Sequence, residues 1–140
     1  MKKEVKSMEE MEVFANTFLS HISPAETATV VGLSGDLGSG KTTFTKILAK
    51  ELGIVDHITS PTFVIQKKYN ILNHPDFDTL IHIDAYRLEE KGELEVLDWK
   101  ELTENSKNLI LVEWPELVGV DATLNFKYID ETTREITYDI

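Results

Sequence analysis

The sequence predicts an α/β domain: a mixed, mainly parallel central sheet flanked by helices and closed by a C-terminal antiparallel hairpin. Three observations carry this prediction. The apolar, β-branched run Ala28-Thr29-Val30-Val31-Gly32-Leu33-Ser34 leads into a glycine-rich loop and then into a helical pattern. Two further apolar runs, Leu80 to Ile83 and Leu109 to Val112, each end on an acid, Asp84 and Glu113. The tail alternates Leu124, Phe126, Tyr128 and then Ile136, Tyr138, Ile140, with Asp130-Glu131-Thr132-Thr133 between them.

Taken in order, residues 2 to 6 suit a short edge strand. Residues 8 to 21 place Met8, Met11, Phe14, Phe18 and Leu19 on one face with glutamates opposite, an amphipathic helix whose apolar side belongs to the core. Ser23-Pro24 interrupts the chain before the strand at 28 to 34. Phe44, Ile47, Leu48 and Leu52 then recur at helical spacing, and Gly53 suits a C-cap. Ser60-Pro61 marks an extended loop. Phe63 to Tyr69 reads as a strand, and Asn70 to Thr79 as a surface loop. Leu80 to Asp84 is the next strand. Leu94, Leu97, Trp99 and Leu102 suit one or two short helices, with Asp98 placed to cap the second. Leu109 to Val112 is apolar on both faces, as in a covered central strand, and Pro115 ends it. No repeat or linker interrupts the 140 residues, which read as a single domain, 1–140.

The loop after the first long strand reads Gly35-Asp36-Leu37-Gly38-Ser39-Gly40-Lys41-Thr42, the pattern G-x-x-x-x-G-K-T. With a strand before it and a helix after it, this is the P-loop of a P-loop NTPase fold. Backbone N–H groups must curl around a polyphosphate, so glycines stand where a Cβ would block the approach. Lys41 puts a positive charge on the β- and γ-phosphates, and Thr42 offers a hydroxyl to Mg2+. The start of the helix adds its positive dipole end. An ordinary glycine-rich turn has no use for Lys-Thr after Gly40.

Such a site needs a carboxylate near the metal, at the end of an apolar strand beside the P-loop strand. Asp84 and Glu113 both fit, at the edge of the sheet where open α/β folds bind ligands. Glu113 follows the more apolar strand and is the better metal ligand. Asp84 follows a partly polar strand and suits orienting or activating the attacking water. Either acid is placed to be the principal metal ligand. Only Arg87 and Arg134 supply guanidinium groups in the chain, and Arg87 can equally pair with nearby glutamates.

Composition narrows the partners. With 14 basic and 25 acidic residues the formal net charge is -11. Tight direct binding to nucleic acid relies on phosphate contacts from basic groups, so it is disfavoured. No cysteine is present, which removes thiol catalysis and cysteine metal sites. The start Met1 to Lys6 has no apolar stretch behind its lysines, and no run approaches a membrane span. A cytoplasmic protein is expected, and oligomeric state is left open.

Four stretches together resemble the TsaE (YjeE) family, small bacterial P-loop ATPases of tRNA threonylcarbamoyladenosine (t6A) biosynthesis. They are Gly35 to Phe44, Ser60-Pro61-Thr62-Phe63, His82-Ile83-Asp84-Ala85-Tyr86-Arg87 and Val112-Glu113-Trp114-Pro115. The resemblance spans nearly the whole chain. It implies that Gly35, Asp36, Leu37, Gly38, Ser39, Gly40, Lys41, Thr42 and Thr43 hold ATP or ADP. It also implies Mg2+ on Thr42 and Glu113, Thr62 in a switch-like loop near the γ-phosphate, Asp84 assisting hydrolysis and Trp114 beside the site. Arg134 is a candidate base contact in a tail that matches only in pattern. The implied partners are TsaD and TsaB, with tRNA reached only through that complex. Ser39 stands where alanine is common in the family. Two other activities suit a P-loop: a small phosphotransferase, which usually needs more arginines and a lid, and a nucleotide-dependent adaptor without turnover.

Overall fold

The computed structural model describes residues 1–22, 25–36, 39–55, 66–84, 98–113 and 119–139. Their elements run β1 (Lys2–Val5), α1 (Met8–His21), β2 (Thr29–Gly35), α2 (Lys41–Glu51), β3 (Gln66–Asn70), β4 (Thr79–Asp84), α3 (Trp99–Glu104), β5 (Asn108–Glu113), β6 (Ala122–Tyr128) and β7 (Arg134–Asp139). The strands form one sheet in the order β1-β7-β6-β2-β5-β4-β3. The four central strands β6, β2, β5 and β4 are parallel, and β3, β7 and β1 are added by antiparallel pairing. The expected mixed sheet and C-terminal hairpin are both present. The strand expected over 63 to 69 is found as β3, and residues 63 to 65 lie outside the described residues.

Alternation along the strands divides the core. Val31, Leu33, Leu80, Leu109, Leu111 and Leu124 face α1 and α2, where they meet Phe14, Phe18, Phe44 and Leu48. Val30, Ile81, Ile83, Ile110 and Val112 face the other way, onto Leu102 of α3 with Trp99 at the margin. All six residues of β5 are buried, as a strand covered on both faces requires.

Local chemistry explains the helix ends. Ser7 caps α1 by accepting from Glu10 N–H. At the end of α2, Gly53 takes φ 74° and its N–H bonds Lys50 O, while Ile54 N–H bonds Ala49 O. That pair of bonds is the glycine-terminated helix stop the sequence predicts. Two local expectations are corrected. Met8 is 59 % exposed, because Met11, Phe14, Ala15 and Phe18 already fill the stripe against the sheet. Asp98 does precede α3, but it sits at φ 55° and its side chain makes no capping bond.

Candidate nucleotide site

β2 ends on Gly35, and the chain turns at once into α2. Gly35 has φ 140°, and a Cβ on it would lie 2.4 Å from the Phe126 carbonyl oxygen and 2.7 Å from Ser39 Oγ. Only glycine lets the loop fold back this closely on β6. Ser39 N–H bonds Asp36 O at 3.0 Å, which closes the turn. The Ser39 hydroxyl is buried and has no hydrogen-bond partner among the described residues. Gly40, at φ 111°, is the N-cap of α2 and brings no capping side chain. The helix therefore opens without the side-chain acceptor that Ser7 gives α1, an end suited to an anion.

Lys41 is the first residue of α2 and is buried. Its Nζ lies 4.0 Å from Glu113 Oε1. Glu113 is the last residue of β5, the strand beside β2, with Leu33 as its register partner. It is only 8 % exposed. A carboxylate so deeply placed at a sheet edge needs partners, and among the described residues it has two: Lys41 on Oε1 and His82 Nε2 at 2.9 Å from Oε2. Thr42 follows Lys41 in the first turn of α2 and is exposed; Thr43 is half-buried. Asp84 closes β4 directly opposite Glu113 in the register, so both acids end neighbouring parallel strands on the edge that carries the P-loop.

Arg134 opens β7 and also reaches this corner. A Cβ on Gly40 would lie 3.5 Å from Arg134 Cγ, 3.7 Å from Phe126 and 3.8 Å from Met11 Cε. The guanidinium bonds the Asp130 and Thr133 carbonyls and lies 4.5 Å from the centre of the Tyr128 ring. The hairpin turn is itself fixed by Asp130. Its carboxylate accepts from Thr132 and Thr133 N–H, and these bonds hold its pKa below the usual carboxylate value.

Gly35, Asp36, Ser39, Gly40, Lys41, Thr42, Thr43, Arg134 and Glu113 thus gather at one end of the sheet, with the Asp84 backbone beside them. Leu37, Gly38, Thr62, Arg87 and Trp114 lie outside the described residues. The residue without an assigned role in the sequence reading is His82. Its signal was present, a histidine two positions before Asp84 in an otherwise apolar strand, but its acid partner emerges only when β4 and β5 are paired.

The donors fit Mg2+. A threonine hydroxyl and a carboxylate are hard oxygen ligands, and a nucleotide's phosphates would supply more. Among the described residues no group of three or more His, Cys, Asp or Glu forms a self-sufficient metal site. That suits an ion that arrives with phosphates.

Comparison with known proteins shows the family. The family model described as "Threonylcarbamoyl adenosine biosynthesis protein TsaE" matches residues 5–137. A Bacillus subtilis protein named tRNA threonylcarbamoyladenosine biosynthesis protein TsaE is 38% identical over 135 residues, 93% of this chain and 79% of that protein. One of the same name from Borreliella burgdorferi is 37% identical over 114 residues, 81% of this chain and 77% of that protein. The crystal structure of YdiB from Bacillus subtilis superposes with a TM-score of 0.72 at 30% identity, covering 99% of this chain and 83% of that one.

Proposed function

Because the chain belongs to the TsaE family, we propose that it is a Mg2+-dependent ATPase that serves tRNA t6A modification. The observation that carries the reading is the pairing of the P-loop Lys41 with Glu113 at 4.0 Å, at the end of the strand beside the P-loop strand. The proposal treats residues 1–140 as one ATPase domain.

In this reading the backbone from Gly35 to Thr43 surrounds the phosphates of ATP. Lys41 leaves the carboxylate for the β- and γ-phosphate oxygens, where charge must be balanced as the terminal phosphoryl departs. Thr42 and Glu113 would hold Mg2+, which when bound would supply further charge to offset that on the phosphate oxygens. Asp84 orients the attacking water and accepts its proton. The reading also assigns Thr62 to the terminal phosphate and Trp114 to the nucleotide. Arg134, held over Tyr128 next to Gly40, supplies a flat cationic surface for the base.

The relatives' names place them in tRNA threonylcarbamoyladenosine biosynthesis. We extend that to a working relationship with TsaD and TsaB, in which ATP turnover drives or resets threonylcarbamoyl transfer and tRNA is met only through the complex. A net charge of -11 supports this division of labour. A cytoplasmic location follows from that partnership. Among the described residues no helix is long and apolar enough to cross a membrane.

The test is release of phosphate from γ-labelled ATP by the chain alone and with the TsaB–TsaD pair. The expected outcome is slow, Mg2+-dependent free phosphate that increases with the pair. Label transferred to a small acceptor would show a phosphotransferase instead. Binding without turnover, even with the pair, would leave a nucleotide-dependent adaptor.

A further inference from the structure

β4 also carries a buried polar side chain near this end of the sheet. His82 lies two residues before Asp84 and stands opposite Leu111 in the register, on the face that packs against α1 and α2. It is 2 % exposed. Its Nε2 is 2.9 Å from Glu113 Oε2. A carboxylate oxygen accepts hydrogen bonds, so in this contact the imidazole is the donor, through Nε2. Nδ1 is buried and has no partner among the described residues.

Packing does not account for an imidazole here. A leucine would fill a place beside Leu111 without a ring nitrogen that finds no partner among the described residues, and a half-satisfied polar group costs stability. What the ring does provide is a fixed donor to one oxygen of Glu113. The terminal torsion of a glutamate is broad, so its carboxylate plane is otherwise weakly defined. With Oε2 taken by His82, Oε1 is the oxygen on the side of Lys41 and the start of α2.

We infer that His82 is a positioning residue: it holds the Glu113 carboxylate with Oε1 turned toward the start of α2, and so sets how tightly the site takes the divalent cation that accompanies the nucleotide. The inference rests on the reading of Glu113 as the metal-holding acid. A ligating carboxylate oriented by a buried hydrogen bond binds its metal more tightly, and losing such a bond costs about 10–100-fold in metal affinity.

The experiment is Mn2+ titration, followed by electron paramagnetic resonance, of the full chain saturated with ADP. It compares the parent with His82→Leu, His82→Gln and His82→Asn. The amide nitrogen of glutamine can take the place of Nε2, whereas that of asparagine takes the place of Nδ1 and cannot reach Oε2. ADP binding in EDTA serves as the control for a folded site. The expected result is Mn2+ binding weakened about tenfold or more in the Leu and Asn variants. The Gln variant stays close to the parent, and ADP binding in EDTA is unchanged in all. Should His82→Leu not fold, the Gln and Asn pair decides. Equal Mn2+ affinity in all the variants, or equal loss in Gln and Asn, overturns the inference. A Glu113→Gln variant that binds Mn2+ as the parent does would instead overturn the metal role of Glu113 itself.

Discussion

Gly35 and Lys41 make the sharpest demands on single positions. At Gly35 a Cβ would meet the Phe126 carbonyl, a backbone atom that cannot swing aside, at a φ of 140°. Gly35→Ala should therefore cost about 1–3 kcal/mol of stability in chemical denaturation, and weaken nucleotide binding with it. Lys41→Ala should weaken ATP binding itself, measured by calorimetry, and unchanged affinity would remove the P-loop assignment. Asp84→Ala should bind ATP nearly as the parent does and fail to hydrolyse it; turnover at the parent rate would exclude Asp84 from catalysis. Asp130 gives a prediction in pH. Its folded pKa is depressed, chiefly by the Thr132 and Thr133 N–H groups. Its stabilising effect is thus complete above the ordinary carboxylate range and lost as pH falls through the lowered folded value. An NMR titration of the carboxyl carbon should show a midpoint below that of an unstructured aspartate. Most of the loop and acid residues were legible in the sequence because each obeys a short-range rule of spacing. His82 was not, since its meaning lies in a contact between two strands.

Among the elements, α2 links the site to the core. Phe44, one turn into that helix, touches Phe14, Phe18 and Phe126 with ring centroids 5.5–5.9 Å apart. Phe44→Ala should cost about 3–5 kcal/mol, read from the denaturation midpoint, because it empties the junction of α1, α2 and β6. Both long helices and the C-terminal hairpin were readable from periodicity, and the buried strand β5 from its unbroken apolar run. Each buries a continuous stripe or face, and burial imprints itself on sequence. Short α3 was readable from Leu94, Leu97, Trp99 and Leu102 as one of one or two short helices, and it starts after Asp98 as expected, while Leu94 and Leu97 lie outside the described residues. Strand order was not readable. Nothing in residues 29–35 states that β5 will lie on one side and β6 on the other, since parallel partners are chosen by tertiary packing and not by local signals.

For the whole molecule, ligand binding and stability are linked. ATP with Mg2+ at about a hundred times its dissociation constant should stabilise the chain by about 2.7 kcal/mol. That corresponds to a melting temperature raised by about 10 °C for a chain of this size. Lys41→Ala should abolish most of the shift. Excess negative charge opposes compaction, so added monovalent salt should raise the melting temperature of the ligand-free protein modestly. The position of β2 has a further consequence, in the order of synthesis. Leu33 pairs with Glu113 on one side and with Leu124 on the other, while Gly35 is pressed against Phe126. The phosphate loop therefore leaves the ribosome long before either of its walls exists. Until β6 and β7 emerge, β2 has a bare edge and the loop lacks the surface that sets its curvature. Nucleotide binding by nascent chains of increasing length should accordingly be absent up to residue 121 and appear only once the hairpin is free of the exit tunnel, making the first motif to be translated the last to become functional.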